Sequence, residues 1–204
     1  MAVSSLRQRL REQTHPLHIR VDSHPLMRTL CSPELTRNVY TVVLRAMDKA
    51  LSQLEPLLAV APWSPDVVPP PPFTPRRVAL QRDLISLCAN GAPADEPGGA
   101  PLSLETYVGV RYVLDGARMG GLVLAKHVER LLGTQVPTEF FRGEGERTGP
   151  SWAAFTAWVD SAATHLDFPV AACAAEQSFQ VFLQSFESAH LEISLPLPQL
   201  DGNR

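Results

Sequence analysis

Apolar residues recur at three- and four-residue steps along most of this chain, and this spacing predicts amphipathic helices. The first helix shows it in Leu6, Leu10, Thr14, Leu17 and Val21. Pro16 lies inside this pattern and removes one backbone hydrogen bond, so we expect the helix to bend there and continue.

Further helices follow from the same spacing. The second begins with Ser32 as its cap and Pro33 at the first helical position, and it runs to Leu58. The others are predicted over about 76–88, in two stretches over 102–132, from a cap at Ser151 to 162, and over about 169–189. Proline- and glycine-rich segments between them predict loops. With no strand-like alternation, hairpin signal or repeat, the sequence predicts an all-α fold, with one domain over 1–204 and a flexible tail over 190–204.

Composition narrows the class of protein. The 204 residues suffice for one domain with a sizeable core. A net charge of −3 gives no overall attraction to nucleic acid or to anionic lipid. The chain has no apolar segment long enough for a membrane span and no apolar segment after its first arginines that would indicate a secretory signal. Its three cysteines are widely spaced, which is typical of free thiols in a reducing compartment. We therefore expect a cytoplasmic monomer that binds neither nucleic acid nor membranes.

Half of the six histidines lie in the segment Thr14–Leu26, as His15, His18 and His24. A shared metal site needs three or four ligands, but His24 lies past the predicted helix end and no HExxH or Cys/His cluster is present. Solvated or satisfied histidines on a helix are the simpler interpretation. His18 differs from the others because Asp22 follows one turn later, where a carboxylate can orient a ligating imidazole. Arg11 lies seven residues before His18, about 10 Å along the axis at 1.5 Å per residue.

A second informative segment, Arg111–Val128, contains three glycines in a helical pattern: Gly116, Gly120 and Gly121. Glycine in a helix costs roughly 1 kcal/mol relative to alanine, so these positions need a reason. One reason is close helix packing or a loop between two helices. The other is that a bent, bare backbone approaches a flat ligand where a Cβ atom would clash.

Together the two segments resemble the haem oxygenases. Their first helix carries Leu-(Lys/Arg)-x-x-Thr-x-x-x-His with a carboxylate four residues later, which matches Leu10, Arg11, Thr14, His18 and Asp22. The bacterial members have a distal helix similar to Tyr-Val-Leu-Glu-Gly-Ser-x-x-Gly-Gly, which matches Tyr112–Gly121. The order and the spacing of the two segments, and the length of the chain, also agree with this family.

The resemblance implies a helical bundle that holds haem between the first, proximal helix and the glycine-bent distal helix. It implies that His18 is the axial ligand of the haem iron, held by Asp22, that Arg11 meets a haem propionate, and that Tyr112 contacts the haem. Gly116, Gly120 and Gly121 would form the distal face. Haem would be substrate and cofactor, and O₂ would cleave it to biliverdin, carbon monoxide and ferrous iron.

The resemblance also implies a separate electron donor, such as a ferredoxin or an NADPH-dependent reductase, because the chain shows no flavin or nicotinamide motif. Lys126 and Arg130 are candidate docking charges for it, although solvated surface charges are the simpler interpretation.

Asp22 and Asp115 stand where the family has glutamate and keep the charge, and three further features depart from the family pattern. Ala117 replaces the serine of bacterial members and the aspartate of animal members, Pro16 lies two residues before the proximal histidine, and the final helix lacks the basic residues that bind propionates in animal members. These departures leave two other functions open. One is a haem-binding protein on the same scaffold that does not degrade haem, and the other is a cofactor-free helical interaction module.

Overall fold

Helices make up all regular structure in the computed structural model, which describes residues 5–59, 68–93 and 103–194. The nine α-helices of these ranges are α1 (Leu6–Ser23), α2 (Pro25–Thr29), α3 (Arg37–Leu54), α4 (Arg77–Ser86), α5 (Leu104–Gly116), α6 (Gly121–Leu132), α7 (Glu139–Arg142), α8 (Thr148–Ser161) and α9 (Phe168–Ser194). The prediction of an all-α fold is confirmed.

The longest helix, α9, is the common wall of the bundle and packs against α1, α3 and α5. Its contact with α5 depends on small residues. A Cβ atom at Gly109 would overlap the carbonyl oxygen of Ala171 and lie 2.7 Å from the Cβ atom of Ala174. Glycine at this position therefore lets two helix backbones approach closely, and this contact fixes α5 relative to α1 through their shared neighbour.

The first helix continues through Pro16, as predicted. Its buried side chains are Leu6, Leu10 and Thr14, which belong to the face identified from the apolar spacing. Pro16 itself is exposed, so the backbone carbonyl that it leaves without a helical partner lies on the side of α1 away from the core. The result is an unbroken helical platform for the residues that follow Pro16.

The predicted start of the second long helix at Ser32 is wrong. Ser32 instead forms a local turn in which its hydroxyl accepts a hydrogen bond from the Glu34 N–H. The helix α3 begins at Arg37, and Thr36 caps it by accepting from the Val39 N–H at 3.2 Å. The intervening turn lets Leu35 enter the core, which explains why the cap with the weaker sequence signal is used.

Ser151 was also predicted wrongly as a helix cap, because α8 begins at Thr148. Pro150 then occupies the first turn, where backbone N–H groups have no helical partner and proline costs little. The Ser151 hydroxyl instead donates to Glu144 at 2.7 Å. At the other end, α9 continues through 190–194, residues that we expected in the tail, and 195–204 lie outside the described residues.

Candidate functional site

His18 and Asp22, here called the proximal pair, lie on the exposed face of α1. The Nδ1 atom of His18 is 3.0 Å from Oδ2 of Asp22, and the two side chains are 57% and 65% exposed. The His18 ring contacts the ring of Phe179 edge-on, with centroids 5.9 Å apart. His18 is thus held on two sides by protein, while more than half of its surface is open to a ligand.

The structure separates His15 and His24 from this pair. His15 is exposed on α1. His24 is buried, its Nδ1 atom accepts the N–H of Leu26 to cap α2, and its Nε2 atom lies 3.3 Å from a carboxylate oxygen of Glu187. Both of its ring nitrogens are therefore engaged in the fold. Across the described ranges, no three His, Cys, Asp or Glu side chains are grouped to hold a metal ion.

The distal segment consists of two helices, α5 and α6, joined by the four-residue turn 117–120. Each of its glycines has different surroundings. A Cβ atom at Gly116 would contact the Trp152 ring at 3.7 Å, whereas one at Gly120 would meet nothing within 4 Å. A Cβ atom at Gly121 would overlap the carbonyl oxygen of Phe141. Gly120 therefore borders open space, while Gly121 is explained by the close packing of α6 on α7.

One cleft connects the proximal and distal segments. It is open to solvent and has a volume of about 960 Å³, near the upper end of the range for pockets that bind small molecules. The residues that line it on its two sides include Asp22, Met27, Arg28, Gly120, Val123 and Leu124. The two segments singled out in the sequence, about 100 residues apart in the chain, thus meet at one cavity, with Asp22 on one wall and Gly120 on the other.

The cleft has an apolar surface that the sequence did not reveal. Val123, which lines the cleft, is 61% exposed, and Met119, which precedes Gly120 in the chain, is 51% exposed. On the opposite wall, Met27 belongs to α2, a helix absent from our prediction. Its signal was present in the sequence, because His24 can accept from the helix start and Pro25 occupies the first helical position.

Tyr112 and Arg11 lie where α5 approaches α1. The Tyr112 ring packs against Trp152, with centroids 5.5 Å apart. Burial raises the pKa of Tyr112, and a hydrogen bond with Thr14 and the positive charge of Arg11 oppose this rise. Arg11 is exposed, and its positive charge is close enough to Tyr112 to lower the pKa of that side chain. The two residues predicted to contact haem are therefore neighbours in the fold.

Buried charges surround the turn between α5 and α6. Asp115, at the end of α5, pairs with Arg111 at 2.9 Å and with Arg118 at 3.4 Å. Arg118 also donates to Glu144 at 3.0 Å. A hydrogen bond from Ser151 is the largest cause that lowers the pKa of Glu144, and the charge of Arg118 adds to it. Sequence reasoning missed this network, although the spacing of Arg111 and Asp115 on one helix was a usable signal.

No α-helix in the described part of the chain is long and apolar enough to cross a membrane. All three cysteines, Cys31, Cys88 and Cys173, are exposed free thiols.

Comparison with known proteins gives a match in fold and none in sequence. No protein-family model matches the chain, and no curated protein matches it in sequence. Among solved structures, the haem oxygenase of Neisseria meningitidis, determined with NO and CO bound, is similar with a TM-score of 0.69 and 18% identity over 92% of each chain.

Two other solved structures agree. The haem oxygenase of Leptospira interrogans has a TM-score of 0.68 and 19% identity, covering 91% of this chain and all of the other. Haem oxygenase-1 of Synechocystis sp. PCC6803, in complex with haem, has a TM-score of 0.67 and 15% identity over 93% and 94% of the two chains. At this identity the likeness establishes the fold, and it confirms the fold that the sequence resemblance implies.

Proposed function

From the haem oxygenase fold of this chain, we propose that the protein is a haem oxygenase. It would cleave haem with O₂ and reducing equivalents to biliverdin, carbon monoxide and ferrous iron. The observation that carries the proposal is the cleft that Asp22, partner of His18, shares with Gly120. A cofactor-free interaction module would need neither an oriented, exposed imidazole nor an open cavity beside the carboxylate that orients it.

The residues present fit haem. In the neutral His18 ring with its proton on Nδ1, that N–H donates to Asp22 and Nε2 keeps its lone pair for iron. Met27, Val123 and Leu124 supply apolar contacts for the porphyrin. The exposed cation of Arg11 on α1 is available to a propionate, and the cation of Arg28 lines the cleft. Tyr112, beside Arg11, completes the set that we assign to haem binding.

Haem supplies the iron at which O₂ is activated and the ring that is cleaved. The chain supplies orientation and exclusion of water. Asp22 would fix the tautomer and the angle of His18, and Gly120 leaves its side of the cleft free of a Cβ atom. Gly116 belongs to the same distal segment, where a Cβ atom would face the Trp152 ring. Gly121 serves this site indirectly, by bringing α6 against α7. Proton delivery cannot use the side chain of Ala117, so other groups or ordered waters must provide it.

The second candidate is a haem-binding protein that does not degrade haem. Ala117 favours it, because this exposed residue places no polar side chain in the turn beside the cleft. For the oxygenase we further propose a ferredoxin or an NADPH-dependent reductase as electron donor and the cytoplasm as the place of action, which the three free thiols favour.

Haem titration followed by reduction distinguishes these functions. We expect saturable haem binding with the absorption spectrum of a histidine-ligated haem, and conversion to biliverdin when ascorbate is added under air. Stable haem that is not consumed under ascorbate or a reductase system would favour the non-degrading protein. The absence of saturable binding, with His18→Ala indistinguishable from the unmodified protein, would contradict both haem functions.

A further inference from the structure

The turn 117–120 between α5 and α6 has a single buried side chain. Ala117, Met119 and Gly120 are exposed, and the side chain of Arg118 is only 7% exposed. No side chain caps the start of α6 either, since Gly120 occupies the cap position. The position of the turn against the rest of the bundle therefore depends on what Arg118 contacts.

Arg118 connects the turn to two separate parts of the chain. Its Nη1 atom donates to Glu144 at 3.0 Å, and Glu144 in turn accepts from Ser151 of α8. Its Nη2 atom donates to the backbone carbonyl of Thr74, in the proline-rich segment. Its guanidinium also lies over the ring of Phe73, with the central carbon 5.3 Å from the ring centroid. Arginine suits this place because its planar donors reach several acceptors in fixed directions.

A second arginine holds the same proline-rich segment to α5. Arg111 donates to the carbonyls of Pro71 and Pro72 and pairs with Asp115 at 2.9 Å. Asp115 also lies 3.4 Å from Nε of Arg118, a contact that is an ion pair and not a hydrogen bond. The segment 71–74 is thus fastened at one end by Arg111 and at the other by Arg118, and this makes it a rigid support for the turn.

We propose that Arg118 is a positioning residue of the distal site, one that fixes the backbone of Gly120 at the cleft through its buried contacts. This inference rests on the proposed function, because it concerns the distal face of the haem site. Arg118 does not line the cleft and acts only through the turn. Loss of its contacts should free the turn while the pair of His18 and Asp22 on α1 stays in place.

The matched control is Arg77, which forms a buried pair of the same kind with Asp48 at 2.9 Å between α4 and α3. It also donates to a backbone carbonyl, that of Ala92, as Arg118 does with Thr74. Arg77→Met and Arg118→Met therefore remove equivalent buried contacts, and only the second removes them from the distal turn.

The first test uses the protein without haem and measures backbone amide hydrogen exchange. The turn amides have defined acceptors, including Gly116 O for Met119 and Arg118 O for Gly121. We expect Arg118→Met to accelerate exchange at 118–121 by about tenfold or more, and Arg77→Met to leave these amides unchanged. Equal exchange in unmodified protein and Arg118→Met, or equal acceleration in both variants, would overturn the proposal.

The second test uses the haem-loaded protein. We expect Arg118→Met to bind haem with nearly unchanged affinity but to lower turnover by about tenfold and broaden the mixture of biliverdin isomers, with partial rescue in Arg118→Lys. A loss of haem affinity as large as the loss of turnover would overturn it.

If Arg118→Met does not fold, Glu144→Gln is used in both tests, because it weakens the contact between Arg118 and Glu144 without removing the arginine. Failure of the proposed function would appear as no haem binding with the exchange result intact. Failure of this inference would appear as unchanged exchange in a protein that still turns over haem.

Discussion

The Nδ1 atom of His18 lies 3.0 Å from Oδ2 of Asp22, one helical turn further along α1. The carboxylate therefore engages one ring nitrogen and leaves the other for a ligand. Because both side chains are more than half exposed, the pair contributes little to folding stability.

Replacing His18 should separate ligation from stability. We expect His18→Ala to abolish the absorption spectrum of histidine-ligated haem and all turnover, and to change the free energy of unfolding by less than about 0.5 kcal/mol, as at other exposed positions. His15→Ala, on the same helix and also exposed, is the matched control and should leave both properties intact. An equal loss of haem ligation in His15→Ala would refute the assignment.

His24→Ala gives a third, different outcome. Unlike His15 and His18, His24 is buried, and it caps α2. Its loss should cost about 0.5–2 kcal/mol, the range for a helix cap, and lower the melting temperature by a few degrees. Haem should still bind with an unchanged spectrum, which titration at a temperature below the transition would check.

Charge reversal at Arg11 tests the predicted contact with a propionate. A charge-assisted hydrogen bond contributes about 1.5–3 kcal/mol, and solvent at this exposed side chain reduces the effect to about 1 kcal/mol. Arg11→Glu should therefore weaken haem binding by roughly fivefold or change the biliverdin isomer, because haem can rotate in the cleft. Arg45→Glu, an equal charge change on the exposed face of α3, should do neither. Equal effects from Arg11→Glu and Arg45→Glu would indicate that the overall charge of the protein matters and that Arg11 makes no specific contact with haem.

Local signals in the sequence were sufficient for much of the fold. The spacing of Leu6, Leu10 and Thr14 gave α1, and its continuation past Pro16 was predicted correctly. The signals failed where two caps competed. Ser32 and Pro33 form the stronger local signal, yet Thr36 caps α3 because the chain must first turn to bury Leu35.

Part of the candidate site was also predictable from local signals. His18 and Asp22 are one turn apart, so a helix alone brings them together. The anchoring of the distal turn was not predictable, because Arg118 meets Glu144 across 26 residues and Thr74 across 44. Such contacts depend on how helices and loops pack, and the periodicity of a single sequence does not predict them.

Low pH should weaken the contact between Arg118 and Glu144, which anchors the turn 117–120. The hydrogen bond from Ser151, followed by smaller effects that include the charge of Arg118, holds the folded-state pKa of Glu144 below its usual 4.5. A depressed carboxyl pKa contributes stability above the unfolded-state pKa, and this contribution is lost as the pH falls through the folded-state value. Unfolding by urea should therefore show Glu144→Gln less stable than the unmodified protein at about pH 6, with the difference shrinking toward about pH 3.

The exposed neighbour Glu146 provides the control for this pH experiment. Glu146→Gln should match the unmodified protein at every pH, because no hydrogen bond or ion pair of Glu146 is present among the described contacts to be lost. A gap between Glu144→Gln and the unmodified protein that stays constant, or widens, as the pH falls would contradict the role given to the Glu144 carboxylate.

Gly120 and Gly121 are adjacent, and their surroundings predict opposite consequences of substitution. A Cβ atom at Gly121 would overlap the Phe141 carbonyl oxygen, a backbone atom that cannot move aside cheaply, so Gly121→Ala should lose about 1–3 kcal/mol by overpacking. Gly120 has no atom within 4 Å of its Cβ position and has a negative φ of −87°, so a side chain fits without strain. Gly120→Leu should keep the melting temperature within a few degrees.

Haem measurements on the same two proteins then complete the test. The Gly120→Leu side chain projects from a residue that lines the cleft, so it should lower haem affinity or turnover by tenfold or more, an effect of about 1.4 kcal/mol. The folded fraction of Gly121→Ala should retain most of its haem turnover per molecule, because its defect lies between α6 and α7. A well-folded Gly120→Leu protein with normal biliverdin output would remove the distal role of Gly120 and with it most of the case for an oxygenase.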